Sequence, residues 1–195
     1  MNKQMLMTAI VVDNNDPEKL GRILITLPAL PEGPQLWARV LTPYAGEKRG
    51  CGMIPEIDDE VLVAFTQGEL SSAYVLGSLW GKQSPPPEEL GGDTNNIKMI
   101  RTARGNTLIL DDTEGGEKIT LIDKEENSIL ISTEEKLIKI QSKGNVEIYA
   151  DSNITIKAGR KFSLKADTIE IKADSSLSLE GGSSADLKGG TVNIN

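Results

Sequence analysis

Residues 152–182 read SNITIKAGRKFSLKADTIEIKADSSLSLEGG, and this stretch decides the fold of the C-terminal part of the chain. Triplets of an apolar, a polar and an apolar residue return along it, as in Ile154-Thr155-Ile156 and Ile169-Glu170-Ile171. Alternation with a period of two places the apolar side chains on one face of a strand and the polar ones on the other. Strands this short bury too little apolar surface to be stable alone, so they must belong to a larger array.

The triplets recur at a nearly constant step. The second apolar residue of each triplet follows the previous one by seven or eight residues. Ala, Gly and Asp stand between the triplets, and these residue types suit sharp turns. A helix would need apolar residues at a period of 3.6, so the pattern predicts short strands instead. The second apolar residues are Ile140, Ile148, Ile156, Leu164, Ile171, Leu179, Leu187 and Ile194.

A flat array of these strands would leave a long apolar surface in water, so the apolar face must be covered. A single-chain solenoid of the hexapeptide type needs a strict six-residue step, which this repeat lacks. Three copies of the chain fit the step better, because each copy can supply one side of a triangular prism with an apolar axis. We therefore predict an intertwined triple-stranded β-helix that forms an obligate homotrimer. The predicted axial core consists of Ile140, Val146, Ile148, Ile154, Ile156, Phe162, Leu164, Ile169, Ile171, Leu177, Leu179, Leu187, Val192 and Ile194.

The N-terminal region has a different sequence pattern. Five strand-like runs lie between turn signals, at 7–14, 21–28, 36–43, 59–68 and 73–80. Five short strands in about 80 residues predict a small barrel, and an OB-type barrel over residues 1–82 fits best. The whole chain is thus expected to be all-β, a five-stranded barrel followed by a needle.

A linker and a neck separate the two regions. Residues 83–97 contain three consecutive prolines, which cannot join a ladder and favour extended chain. Residues 98–123 contain two alternating segments around a TEGG turn, which predicts a hairpin neck. The needle is then predicted to occupy residues 124–195.

Composition excludes several classes of function. The chain has 21 basic and 29 acidic residues, and the net charge of −8 disfavours a nucleic-acid surface. There is no histidine, nucleophile motif or cofactor loop, so we expect no catalytic residue, no cofactor and no metal ion. We expect the acidic run at 54–60 to be a solvated turn and Cys51 to be a buried or half-buried side chain. No stretch approaches the roughly 18 apolar residues of a membrane span, and no signal peptide is evident.

Four stretches carry a family resemblance. DPEKLGRILITLPAL (16–30), WARVLTPYAG (37–46) and GMIPEIDDEVLVAFTQGELSSAYVLGSLW (52–80) resemble the OB-fold module of contractile-injection spike proteins. That family includes phage baseplate assembly protein V and the VgrG proteins of type VI secretion. KMIRTARGNTLILDDTEGGEKITLID (98–123) resembles the neck at which these proteins enter their triple-stranded β-helix.

The resemblance implies a homotrimeric spike at the tip of a contractile tail or injection system, made in the cytoplasm, that breaches the target envelope when the sheath contracts. It implies a separate baseplate hub protein, transient contact with the target membrane, and a PAAR-repeat protein as tip cap. Whether an effector rides on the tip stays open, as does the type of particle. Some members end in a metal-binding apex built on a His-x-His motif, and this sequence, which has no histidine, departs from that pattern. The expected cap-docking residues are Thr191, Val192, Asn193, Ile194 and Asn195.

Other functions remain as alternatives. A trimeric tail fibre or adhesin would share the β-helix, but it needs a receptor-binding head after the needle. An OB-fold nucleic-acid-binding protein would need a basic, aromatic-lined groove, which the composition does not favour. An enzyme is the least supported of the alternatives.

Overall fold

The computed structural model describes residues 5–66 and 69–193. These residues contain twelve strands and no helix, so the chain is all-β as predicted. No helix in this part of the chain is long and apolar enough to cross a membrane. The strands are β1 (Met5–Asp13), β2 (Arg22–Thr26), β3 (Gln35–Val40), β4 (Ala45–Gly46), β5 (Arg49–Gly50), β6 (Glu60–Phe65), β7 (Ala73–Ser78), β8 (Ile97–Arg101), β9 (Thr107–Asp111), β10 (Lys118–Ile122), β11 (Ser128–Ser132) and β12 (Leu137–Gln141).

Five strands of the N-terminal region close into a barrel in the order β1-β2-β3-β7-β6. Neighbouring strands are antiparallel except for β3 and β7, which pair in parallel through Arg39 with Tyr74 and Val40 with Val75. Alternate side chains point inward, and apolar residues such as Ile23, Val63 and Phe65 pack together in the core. The barrel expected from the five strand-like runs is therefore present.

The turn between β1 and β2 is organised by one carboxylate. Asp16 is buried, and its side chain accepts hydrogen bonds from the backbone N–H groups of Glu18, Leu20 and Arg22 at 3.0, 2.9 and 3.2 Å. The Arg22 guanidinium adds two further bonds to the same carboxylate, at 2.8 and 3.1 Å, and lies over the Trp37 ring. The Arg22 hydrogen bond is the main reason that the pKa of Asp16 lies well below its usual value.

The segment between β3 and β6 takes the form of an exposed loop with a small hairpin, β4 and β5. The hairpin is closed by a bond from the Cys51 N–H to the Tyr44 carbonyl, at 2.9 Å. The acidic run at its end is a turn, as predicted, because the Asp59 carboxylate accepts the Glu56 N–H at 2.9 Å. The expectation for Cys51 was wrong, since its side chain is exposed.

Strands β8 to β12 form a second sheet, an antiparallel meander in the order β12-β11-β10-β9-β8. The two segments predicted to form a hairpin, now β9 and β10, pair with Leu108 opposite Leu121 and Leu110 opposite Ile119. The meander continues through β11 and β12 to Gln141. Residues 146–193 form a separate unit without a strand paired inside the chain.

Candidate functional site

The second sheet exposes a face made almost entirely of apolar side chains. In the antiparallel register, residues directly opposite one another share a face. Two rows of five positions cross the sheet on one side, and only Lys98 among the ten positions is polar. We call the other nine residues the apolar face: Ile100, Leu108, Leu110, Ile119, Leu121, Ile129, Ile131, Ile138 and Ile140.

The apolar face is open to solvent in the single chain. Leu108 is half-buried, and the other eight side chains are between 41% and 71% exposed. A groove of about 410 Å³ runs over it, lined by Leu121, Ile129 and Ile140 together with polar residues of the adjoining turns. A contiguous apolar surface of this kind marks an interaction site in a protein that remains in solution.

The opposite face of the sheet is mixed, and most of its side chains are buried or half-buried. Asp111 is buried there, accepts the Thr113 N–H at 3.0 Å and lies 3.3 Å from the Lys118 ammonium group. The hydrogen bonding from Thr113, and to a lesser extent Lys118, lowers the pKa of Asp111. The charge of Asp111 is thus compensated within the chain. The apolar face is therefore the side of the sheet that favours contact with another molecule.

The residues predicted to form the axial core are all exposed from Val146 to Val192. Their exposed fractions lie between 51% and 73%, and the structure gathers none of them into a core within one chain. Ile140 lies instead on the apolar face of the sheet, where it is 64% exposed. Of the expected cap-docking residues, Thr191, Val192 and Asn193 are exposed, while Ile194 and Asn195 lie outside the described residues.

Sequence reasoning missed most of the apolar face. It identified Ile140 as a core residue and Ile138 as the other apolar residue of the same triplet, but not the seven others, although the alternation in LILD, ITLI and ILIS carries the signal. The period shows that one face is apolar, whereas only strand pairing shows that five such strands lie side by side. The described residues contain no group of three or more Cys, Asp or Glu side chains placed to hold a metal ion.

Comparison with known proteins shows which proteins the barrel resembles. Residues 7–80, which span the barrel, match the type VI secretion system/phage-baseplate injector OB domain. The chain is 25% identical over 111 residues to the type VI secretion system spike protein VgrG1b of Pseudomonas aeruginosa, covering 53% of this chain and 15% of that protein. It is 26% identical over 113 residues to the spike protein VgrG3 of Vibrio cholerae, covering 53% of this chain and 11% of that protein. It is 33% identical over 88 residues to the spike protein VgrG4b of P. aeruginosa, covering 43% of this chain and 11% of that protein.

The chain thus spans at most 15% of the length of these curated relatives. The relatives are named as type VI secretion system spike proteins. The resemblance to contractile-injection spike proteins is confirmed.

Proposed function

We propose, from the premise that residues 7–80 form an injector OB domain, that this chain is the homotrimeric spike of a contractile injection system or phage baseplate. Its needle would pierce the target envelope when the sheath contracts, by stiffness and shape and without catalysis. The barrel would attach to a separate hub protein. The observation that carries this proposal is the apolar face, which has nine apolar side chains, eight of them exposed within the part of the chain that the structure describes.

Threefold assembly would cover this face. Three five-stranded sheets that turn their apolar faces towards one axis would form a prism with a continuous core, since such surfaces are stable only when removed from water. Strands β9, β10 and β11 pair on both sides within the chain, whereas β8 and β12 are the edge strands of the sheet. Contacts between copies would therefore be made by the side chains of the apolar face and at the edges of β8 and β12.

For residues 146–193, the proposed contacts between copies would include backbone hydrogen bonds as well as side chains. Their backbone has no strand partner within the chain, and their apolar side chains are exposed. Three copies that wind around one another would supply both the missing backbone hydrogen bonds and the missing cover, as the seven-to-eight-residue step favours. We therefore propose the intertwined needle for this segment, with the axial core named above from Val146 onward.

The oligomeric state tests the proposal directly. Sedimentation equilibrium of the full chain should give three times the 21.0 kDa mass of one copy at micromolar concentration. A monomer at that concentration would show that the apolar face is not used for self-assembly.

A matched pair of variants then tests the face itself. Ile140 and Lys139 are adjacent on β12 and point to opposite faces, and both are exposed in the single chain. Ile140→Asp should abolish the trimer, because it would place three unpaired charges at the axis. Lys139→Asp should leave the trimer intact, because that position stays in water. Equal sedimentation of the two variants would contradict the proposed packing.

The tip is proposed to end in a docking platform. Thr191, Val192, Asn193, Ile194 and Asn195 would contact a cone-shaped PAAR-repeat protein. Support comes from the exposure of the first three residues. Co-purification with a candidate PAAR-repeat protein should be lost when residues 191–195 are deleted and retained after Ser183→Ala.

A further inference from the structure

The barrel carries a second exposed apolar surface, in the loop between β3 and β6. Leu41, Tyr44, Met53 and Ile54 are 64%, 57%, 60% and 42% exposed. The loop is held in one form by the bond from Cys51 to Tyr44 and by the Arg49 guanidinium, which lies 6.0 Å from the centre of the Tyr44 ring. Large apolar side chains presented on an ordered loop favour contact with another molecule.

This loop surface is continuous with the apolar face of the sheet. One groove, of about 470 Å³, is lined by Tyr44, Met53 and Ile54. A second groove, of about 450 Å³, is lined by Met53 and Ile54 on its barrel side and by Ile100 on its sheet side. Ile100 belongs to the apolar face and is 47% exposed. An apolar path therefore runs from Tyr44 through Met53 and Ile54 to Ile100.

The charges on the two sides of this path have opposite signs. Lys48 and Arg49 line the groove on the Tyr44 side, whereas Glu56 and Asp59 line the groove on the Ile100 side. Arg101 also lines this second groove, but its charge is paired with Glu89 at 2.6 Å. In a cyclic trimer each contact joins two different surfaces of neighbouring copies. A basic flank and an acidic flank on one patch suit such a head-to-tail contact, because each copy offers both signs to its neighbours.

We propose that the loop between β3 and β6 docks on a second copy of this chain. The contact between copies would then begin at the barrel loop and continue without a break onto the apolar face of the sheet. This inference rests on the proposed trimer and adds that the barrels of neighbouring copies contact one another through this loop. Met53 and Ile54 would be the central side chains of the barrel contact, flanked by Lys48 or Arg49 of one copy and Glu56 of the next.

Cys51 provides a native reporter for this contact. It is the only cysteine in the chain, it is exposed, and it lies two residues before Met53. Because the loop surface continues the apolar face that would turn towards the threefold axis, the three Cys51 residues should lie close to one another near that axis. In the chain of 195 residues, a short-arm bismaleimide should therefore join Cys51 of one copy to Cys51 of another in high yield at submicromolar concentration. The matched reporter is the double variant Cys51→Ser, Thr8→Cys, which places the thiol at an exposed position on β1 and should cross-link several-fold less.

Two surface variants complete the test. Met53→Asp should lower Cys51 cross-linking several-fold while sedimentation still gives a trimer, whereas Glu47→Asp in the same loop should leave both unchanged. A trimer whose Cys51 residues do not cross-link, or whose cross-linking survives Met53→Asp, would overturn the inference and leave the loop open to another protein. A monomeric wild-type chain would instead overturn the proposed function.

Discussion

At the scale of single residues, Asp16 shows how one side chain can determine a turn. Residues 16–22 form almost no ladder of their own, yet the Asp16 carboxylate satisfies three backbone N–H groups and the Arg22 guanidinium. Arg22 in turn lies 5.6 Å from the centre of the Trp37 ring, which connects the turn to β3. Removing the charge would leave buried donors short of an acceptor, which costs more than the bonds contribute.

Asp16→Asn should therefore lower the melting temperature of the barrel by several degrees at pH 7. The folded-state pKa of Asp16 is below the ordinary value of 3.8, so its stabilisation is fully present above the unfolded pKa and is lost as pH falls through the folded one. The difference in melting temperature between wild type and Asp16→Asn should hold above about pH 5 and shrink in more acid solution. Thermal scans followed by tryptophan fluorescence would measure it. Glu18→Gln, at a side chain that is 65% exposed, should have little effect at any pH.

At the scale of elements, the length of the repeat decides whether strands pair inside the chain. Strands β8 to β12 begin at residues 97, 107, 118, 128 and 137, a step of nine to eleven residues. This step leaves room for five-residue strands and for turns of four to six residues, so hairpins close locally. After Gln141 the step shortens to seven or eight, and the strands that remain are too short to hold a hairpin in one chain.

The turn between β11 and β12 yields a prediction that two glycine substitutions change stability in opposite directions. Lys136 stands in the turn between β11 and β12 with a φ of 51°, where a side chain is strained and glycine is not. Lys136→Gly should raise stability by about 0.5–1 kcal/mol. Lys139→Gly, three residues later within β12, should lower stability by a similar amount, about 0.5–1 kcal/mol. Thermal melting of both variants would show opposite shifts, and shifts of the same sign would contradict this reading of the turn.

At the scale of the whole molecule, the chain divides into two units whose stability should have different origins. Residues 1–145 include a barrel with a buried core and a sheet paired within the chain, whereas residues 146–193 have neither. The order of the second unit should therefore depend on the partner copies. Stability that comes from association varies with protein concentration.

Limited proteolysis would separate these contributions. Ile156→Asp should make residues 146–195 at least several-fold more sensitive to protease, because it buries an unpaired charge in the proposed axial core. Thr155→Asp, at the neighbouring position that points outward in the pattern, should leave the needle resistant. If both variants are cleaved at the wild-type rate, Ile156 does not face the axis.

Sequence periodicity accounts for much of this protein, because a period of two is a local property of extended chain. From it follow the all-β class, the five strands of the barrel and the one-sided apolar character of the repeat after Ile140. The exposure of Cys51 could not be predicted from the sequence, since it depends on how the loop between β3 and β6 folds. In that loop the Cys51 N–H donates to the Tyr44 carbonyl, and the Thr42 hydroxyl donates to the Cys51 carbonyl.

The sequence by itself therefore determined which segments are strands and which of their faces are apolar. Only the tertiary structure decided which strands lie side by side: the parallel pairing of β3 with β7 that closes the barrel, and the register that joins nine apolar residues into one face. It alone placed Met53 and Ile54 of the barrel loop next to Ile100 of the sheet. The physical reason is that strand order and register depend on hydrogen bonds between distant segments, and a local period carries no information about those segments.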